Sequence, residues 1–518
     1  MNFFKKKSIL GALTLSLLSP ISCFAEFAWD DHYEFEDITI PKGIDPQVGG
    51  LALNAKNQLV VCFHRGEVMI YDESTKNWSL FASGLQEPLG LYIEEEGTIL
   101  VIQRGELTRL HDKDGDGTAD LYEAVSNDWG VSGNYHEFSF GIVKDSKGNI
   151  YLGLGTASSG AGVHEEIRGE WNDTGGLKHE DFLSGGEHGE WKVKKKKVAR
   201  MYARVPSRGC ILQIKPGSSK AEVYATGVRT PNGLYVDSND QLWVSDNQGD
   251  WLGASKIHRI EKDGFHGHPA SLLWSKNPPT VTPSKMPIKK LDALRIKAVG
   301  LFPQGDCASS MTEMLPLSAA FGPITENVEG PEQFIVGEMN NPWLVRYLPD
   351  VVNGSHQGTA GHLLSTDLLE KGNNRLIYSK DSKSVYIGKS HLSWAGHEGI
   401  KKVTYKESPY LLVESVKLTP KGFQFTFNAS IEGTEETSDY KIESYGVAYH
   451  SRYGSPKVEL AEEGCASVSI DGKTLSIELK KKPKANKVYD IRLPEGITSN
   501  LSNLSSSRFW YTAHEVYK

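Results

Sequence analysis

The densest set of metal-ligating side chains in the chain is the run Asp112-Lys113-Asp114-Gly115-Asp116-Gly117-Thr118-Ala119-Asp120-Leu121-Tyr122-Glu123. Carboxylates stand at its positions 1, 3, 5, 9 and 12, with glycine at 6. That spacing is the one an EF-hand-type loop uses to wrap hard oxygens around Ca²⁺, with the Thr118 carbonyl joining Asp112, Asp114, Asp116, Asp120 and Glu123. The preceding Leu107–Leu110 alternates like a strand rather than a helix, so the expected ion is structural, held between strands. An acidic solvated turn is the plainer alternative.

Acid–base and anion-binding groups come next along the chain. His136 sits in Asn134-Tyr135-His136-Glu137-Phe138, and Arg229 in Gly227-Val228-Arg229-Thr230-Pro231-Asn232-Gly233-Leu234. An imidazole of ordinary pKa near 6.5 is a competent base at neutral pH. A guanidinium holds anionic oxygens and steadies charge that builds in a reaction. Downstream lie Ser245-Asp246-Asn247-Gln248-Gly249-Asp250-Trp251 and His266-Gly267-His268-Pro269. A lone histidine is more often a packed residue than a catalyst, and Arg229 could equally bridge two structural units.

The elements that must position these groups are read from a recurring phrase. Gly49-Gly50-Leu51-Ala52-Leu53 with Asn57-Gln58-Leu59-Val60-Val61 returns as Leu89-Gly90-Leu91-Tyr92-Ile93 with Gly97–Val101. Further copies begin at Phe140-Gly141, Asn232-Gly233 and Asn374-Arg375, and a degenerate fifth lies around Phe321-Gly322-Pro323 with Gln333–Gly337. Each copy reads as a hairpin. The first two are about 40 residues apart, the length of one four-stranded propeller blade. Six copies predict an all-β fold, a six-bladed β-propeller within residues 26–407, with 156–200 and 270–315 as long surface insertions. A pair of packed sheets is the runner-up, but it leaves the repeated phrase unexplained. His136 and Arg229 lead into successive copies, which places both at the mouth of the central channel.

Tyr405-Lys406-Glu407-Ser408-Pro409 breaks the pattern. Short alternating strands follow over 410–518, predicting a small Ig-like β-sandwich. At the other end, Lys5-Lys6-Lys7, the apolar run Ile9–Leu18 and the small residues before Glu26 read as a signal peptide over 1–25. The expected location is therefore the periplasm or the medium, with no membrane span. Net charge of -8 excludes the basic face that a nucleic-acid partner requires, and Lys194–Lys197 reads as a solvated loop. Cys62, Cys210, Cys307 and Cys465 can pair in three ways, yet Cys62 and Cys210 fall inside apolar strands, which favours buried free thiols.

With these motifs assembled, the chain resembles the glucose/sorbosone dehydrogenase family, soluble quinoproteins that use pyrroloquinoline quinone and Ca²⁺. The likeness rests on His136 ahead of Phe140-Gly141, on Gly227–Leu234, and on Asp246–Asp250 leading to His266–Pro269. The wording is similar to sorbosone dehydrogenase-like secreted proteins of planctomycete and verrucomicrobial kind, which share the phrase Tyr453-Gly454-Ser455-Pro456. The resemblance implies His136 as general base and Arg229 as a quinone-contacting residue. It also implies a cofactor site formed with Thr230, Asn232, Asp246, Gln248, Asp250 and Arg375. Thr230 stands where the family has asparagine; the second arginine expected near Arg375 is absent, and a fifth-blade lysine has no counterpart. The function implied is oxidation of a carbohydrate or alcohol, with an external electron acceptor. A propeller that only binds carbohydrate or protein, or a lactonase-like hydrolase, are the other readings, since fold alone does not choose a reaction.

Overall fold

The computed structural model describes residues 27–158, 162–176, 201–325, 332–391 and 396–518. The expected signal peptide and the run Lys194–Lys197 lie outside them.

Five of the six recurring phrases fold as hairpins, and each of these is the inner half of a four-stranded antiparallel sheet. In the first sheet the strands are Val48–Leu53, Leu59–Phe63, Val68–Asp72 and Asn77–Ala82. Leu59–Phe63 is an unbroken apolar run because it is buried on both faces. The outermost strand Asn77–Ala82, by contrast, has polar and exposed positions. Four more four-stranded sheets have their innermost strands starting at Leu91, Ser139, Pro231 and Asn373, and an eight-stranded sheet begins at Met311.

Their first strands touch in sequence order, and Asn373–Tyr378 returns to Val48–Leu53, closing a six-membered ring. The architecture is thus a β-propeller. Glycine is required where those strands crowd: a Cβ on Gly90 would lie 1.3 Å from the Gly141 carbonyl oxygen. The ring is latched by the N-terminal strand Tyr33–Ile38, which pairs with Gly399–Tyr405 as the outer strand of the last blade.

Two boundaries differ from the sequence reading. The fifth blade opens with Met311–Pro316, whereas Ala319–Phe321 is a 3₁₀ turn in the connection that follows. Met311-Thr312-Glu313 carries no glycine phrase, which hid it. The insertion assigned to 270–315 likewise contains the outer strand of blade four, Gly300–Phe302, and a short helix, Ile288–Leu294. Within 156–200, described residues 162–168 form a strand paired with Val131–Asn134.

The C-terminal part has one four-stranded sheet, in the order Val413–Leu418, Gly422–Phe427, Thr474–Leu479, Cys465–Asp471. Its other four long strands continue blade five, for Ser355–Ser365 pairs with Arg508–Ala513 to make one eight-stranded sheet. Leu348 and Val352 of the propeller pack in the same core as Phe423, Phe425, Phe509 and Tyr511. The break at 405–410 therefore divides the sequence, while hydrogen bonds and apolar core run across it. The four cysteines among the described residues, Cys62, Cys210, Cys307 and Cys465, are free and buried, and burial pushes the Cys62 thiol up to about 12. Among the described residues no helix is long and apolar enough to cross a membrane.

Candidate active site

The loops that enter the innermost strands converge at one end of the ring around a cavity of about 250 Å³. His136, Arg229, Thr230, Asn232 and Gln248 all line it. The backbone of Thr156 ties the first two together. Its carbonyl oxygen accepts a hydrogen bond from His136 Nδ1 at 2.9 Å. Its N–H donates to the Arg229 carbonyl, also at 2.9 Å. A carbonyl cannot donate, so Nδ1 carries the proton and Nε2 is the basic nitrogen of the neutral ring.

The His136 loop is itself held from behind. Asn134 Oδ1 accepts from the His136 N–H at 3.1 Å. The fully buried Arg208 donates to the carbonyls of Gly130 and Glu137, both at 2.9 Å. Burial lowers the Arg208 pKa to about 10, with Glu137 opposing the shift.

Arg229 and Thr230 are aimed from below by Asp246, whose carboxylate accepts their backbone N–H groups at 3.1 and 2.6 Å. Burial alone would raise the Asp246 pKa, but Lys256, His258 and the Thr230 N–H outweigh it and hold the group ionised. Asp246 thus supports the cavity wall without lining it. Asp250 lies deeper, taking the Met201 N–H at 3.1 Å, with His268 Nε2 3.4 Å from its other oxygen. Burial is again the largest influence on Asp250, and His268 overcomes it to lower the pKa.

Arg375 is close to this set but turned away from it. Its donors reach the carbonyls of Gly49 (2.6 Å) and Leu89 (3.0 Å) and the Asn232 side chain (2.7 Å). It clasps three blades beneath the floor, and burial, partly offset by Glu313, lowers its pKa. Its guanidinium is occupied by the protein, so the cofactor contact expected of Arg375 is absent from the cavity lining.

The cavity suits a polar, anionic ligand. Among the described residues, Arg229 Nε, Thr230 Oγ1, Asn247 Oδ1 and Gln248 Oε1 are buried without a hydrogen-bond partner, a costly state that ligand oxygens and donors relieve. A quinone with carboxylates fits those groups. A Ca²⁺ ion on the 246–250 loop does not, because the Lys256 ammonium already lies 2.7 Å from the Asn247 carbonyl and 3.4 Å from Asp246.

The acidic loop sits apart, on the turn between the outer strands of blade two. Ligand atoms of Asp112, Asp114 and Asp116 come within 4.8 Å of one another. Asp120 accepts the Lys113 N–H at 2.7 Å, closing the loop. Thr118 is held through its N–H, which donates to Asp116 at 2.8 Å. Glu123, however, is in the strand Leu121–Ser126 and is taken by His111 (2.9 Å) and Arg109 (3.1 Å). The loop therefore offers a three-carboxylate cluster and lacks the twelfth-position ligand.

Three contributors escaped the sequence reading. Thr156 acts through its backbone, which no side-chain pattern reveals. Lys256 is an ordinary strand residue by sequence. Tyr453 comes from the C-terminal part, where it lines the cavity and accepts from Gln248 Nε2 at 2.9 Å. Its phrase Tyr453-Gly454-Ser455-Pro456 stands out in the sequence, but nothing local links it to the propeller.

No family model and no curated protein matches the chain. Among solved structures it is similar to the pyranose dehydrogenase PQQ domain of Coprinopsis cinerea, at 11% identity and TM-score 0.46, over 72% of this chain and 95% of that one. It is similar to the soluble aldose sugar dehydrogenase of Escherichia coli at 13% and 0.44, over 72% and 100%. The luciferin-regenerating enzyme gives 11% and 0.40, over 72% and 96%.

Proposed function

We propose that the cavity is the active site of an exported quinoprotein-type oxidoreductase that oxidises a sugar or another alcohol. The observation that carries this reading is the Thr156 bridge, which fixes a base and a guanidinium on one cavity wall. His136 Nε2 takes the proton of the substrate hydroxyl, while Nδ1 stays anchored and keeps the ring in one tautomer. Arg229 and Thr230 would donate to the anionic oxygens of pyrroloquinoline quinone, while Asn247 Oδ1 and Gln248 Oε1 would accept from N–H or O–H donors of the ligand. Bound there, the quinone supplies the two-electron acceptor, and an external acceptor renews it. Arg229 also offsets the negative charge that accompanies reduction. Buried aromatic residues, Phe138 and Phe140, narrow the cavity and limit water.

The test is titration of the quinone into the purified protein, followed by its absorbance, and then dye reduction with a panel of sugars. Binding that weakens at least tenfold in Arg229→Ala is the expected result. Absence of quinone binding at saturating concentrations overturns the reading and leaves a carbohydrate- or protein-binding propeller.

A further inference from the structure

Asp246 and Lys256 are paired directly across two neighbouring strands of blade four, Leu242–Asp246 and Ser255–Arg259. Both side chains are almost wholly buried. The Lys256 ammonium is 3.4 Å from Asp246 Oδ2, 2.7 Å from the Asn247 carbonyl and 3.4 Å from the Ala254 carbonyl. One carboxylate and two main-chain carbonyls of a tight loop are the hard-oxygen set a bound metal ion collects. Here three N–H donors of one ammonium meet three oxygens.

We propose that Lys256 is the resident cation of the 246–250 loop, a covalently attached substitute for a metal ion that organises the cavity floor. Its charge passes to the cavity wall in two steps. The ammonium compensates Asp246, and Asp246 in turn holds the N–H groups of Arg229 and Thr230. A divalent ion in the same place would collide with Nζ and would leave Asp246 over-compensated. The floor is accordingly built without metal, and the only carboxylate cluster open to one among the described residues is the exposed Asp112–Asp116 turn. This inference concerns the apoprotein and is independent of the quinone reading, so its test contains no cofactor.

Asp112→Ala/Asp116→Ala removes the exposed cluster and serves as the parent. Isothermal titration of CaCl₂ into this parent is expected to show no bound Ca²⁺, and its melting temperature is expected to be the same in Ca²⁺ and in chelator. Lys256→Met in that parent keeps the bulk of the side chain and removes the charge. It is expected to melt several degrees lower and to recover with Ca²⁺, and adding Asp246→Asn should abolish the recovery. A residual Ca²⁺ site in the parent overturns the proposal, as does a Lys256→Met protein that melts like the parent. If Lys256→Met does not fold, Lys256→Met/Asp246→Asn, which removes both charges, is expected to restore folding. Failure of that double variant to fold counts against the proposal.

Discussion

Gln248 and Tyr453 are 205 positions apart in the chain, yet Gln248 Nε2 donates to the Tyr453 hydroxyl at 2.9 Å beside the cavity. The contact is delivered by a two-stranded ribbon in which Asp250–Leu252 of the propeller pairs with Tyr449–Tyr453. Arg229 also lies over the Tyr453 ring, 5.6 Å from its centroid. The C-terminal part is therefore a wall of the site. Tyr453→Phe, which removes one hydrogen bond worth about 1 kcal/mol, is expected to lower ligand affinity several-fold with little change in melting temperature. Tyr453→Ala should cost more affinity, and a ligand titration that shows no change in either variant counts against this role.

Truncation after residue 407 should be far more damaging. It uncovers the edge of Ser355–Ser365 and strips the cover from Leu348 and Val352, producing an exposed sheet edge beside apolar surface. The shortened protein is expected to aggregate, as read by light scattering. A monodisperse, cooperatively melting product would show that the propeller's core is self-sufficient.

His136→Ala is expected to reduce turnover by roughly two to four orders of magnitude, the contribution of a positioned base. The side chain lines the cavity, so the melting temperature should fall far less than turnover does. A variant that keeps wild-type turnover places the base elsewhere.

Ca²⁺ should raise the melting temperature through the Asp112–Asp116 turn by mass action, and chelator should lower it. The response should be small, because Glu123 is withheld by Arg109 and His111. Asp112→Ala/Asp116→Ala should erase it. An unchanged response in that variant excludes this loop as the site.

Acid should loosen the seam between blade five and the C-terminal sheet. Burial pushes His362 and His514 down to about 4, each with Nε2 near a carbonyl, of Cys307 and Ala298 respectively. The unfolded chain binds protons from its ordinary pKa of about 6.5 downward, whereas the folded chain resists until about 4. Stability from this source is complete above pH 6.5 or so and is lost as pH falls toward 4. Melting temperatures measured across that window should decline, and His362→Gln/His514→Gln should flatten the decline.

The glycine-led phrases determined the propeller locally, because crowding at the axis admits glycine and a twice-covered strand must be apolar throughout. That logic located four inner hairpins and the last one. It missed Met311–Pro316, which has no glycine anywhere in the strand. That His136 and Arg229 line one cavity was legible because each precedes an inner strand, and strand order alone sends such loops to one mouth. The clustering of Asp112, Asp114 and Asp116 was legible because a turn is local, whereas the pairing of Glu123 with Arg109 and His111 was not, since strand register sets it. Arg375 looked like a ligand-binding cation until three blades supplied carbonyls for its donors. Lys256 and Tyr453 could be assigned only in three dimensions. One is set by a cross-strand pair, the other by a ribbon joining distant segments, and neither relationship leaves a periodicity in the chain.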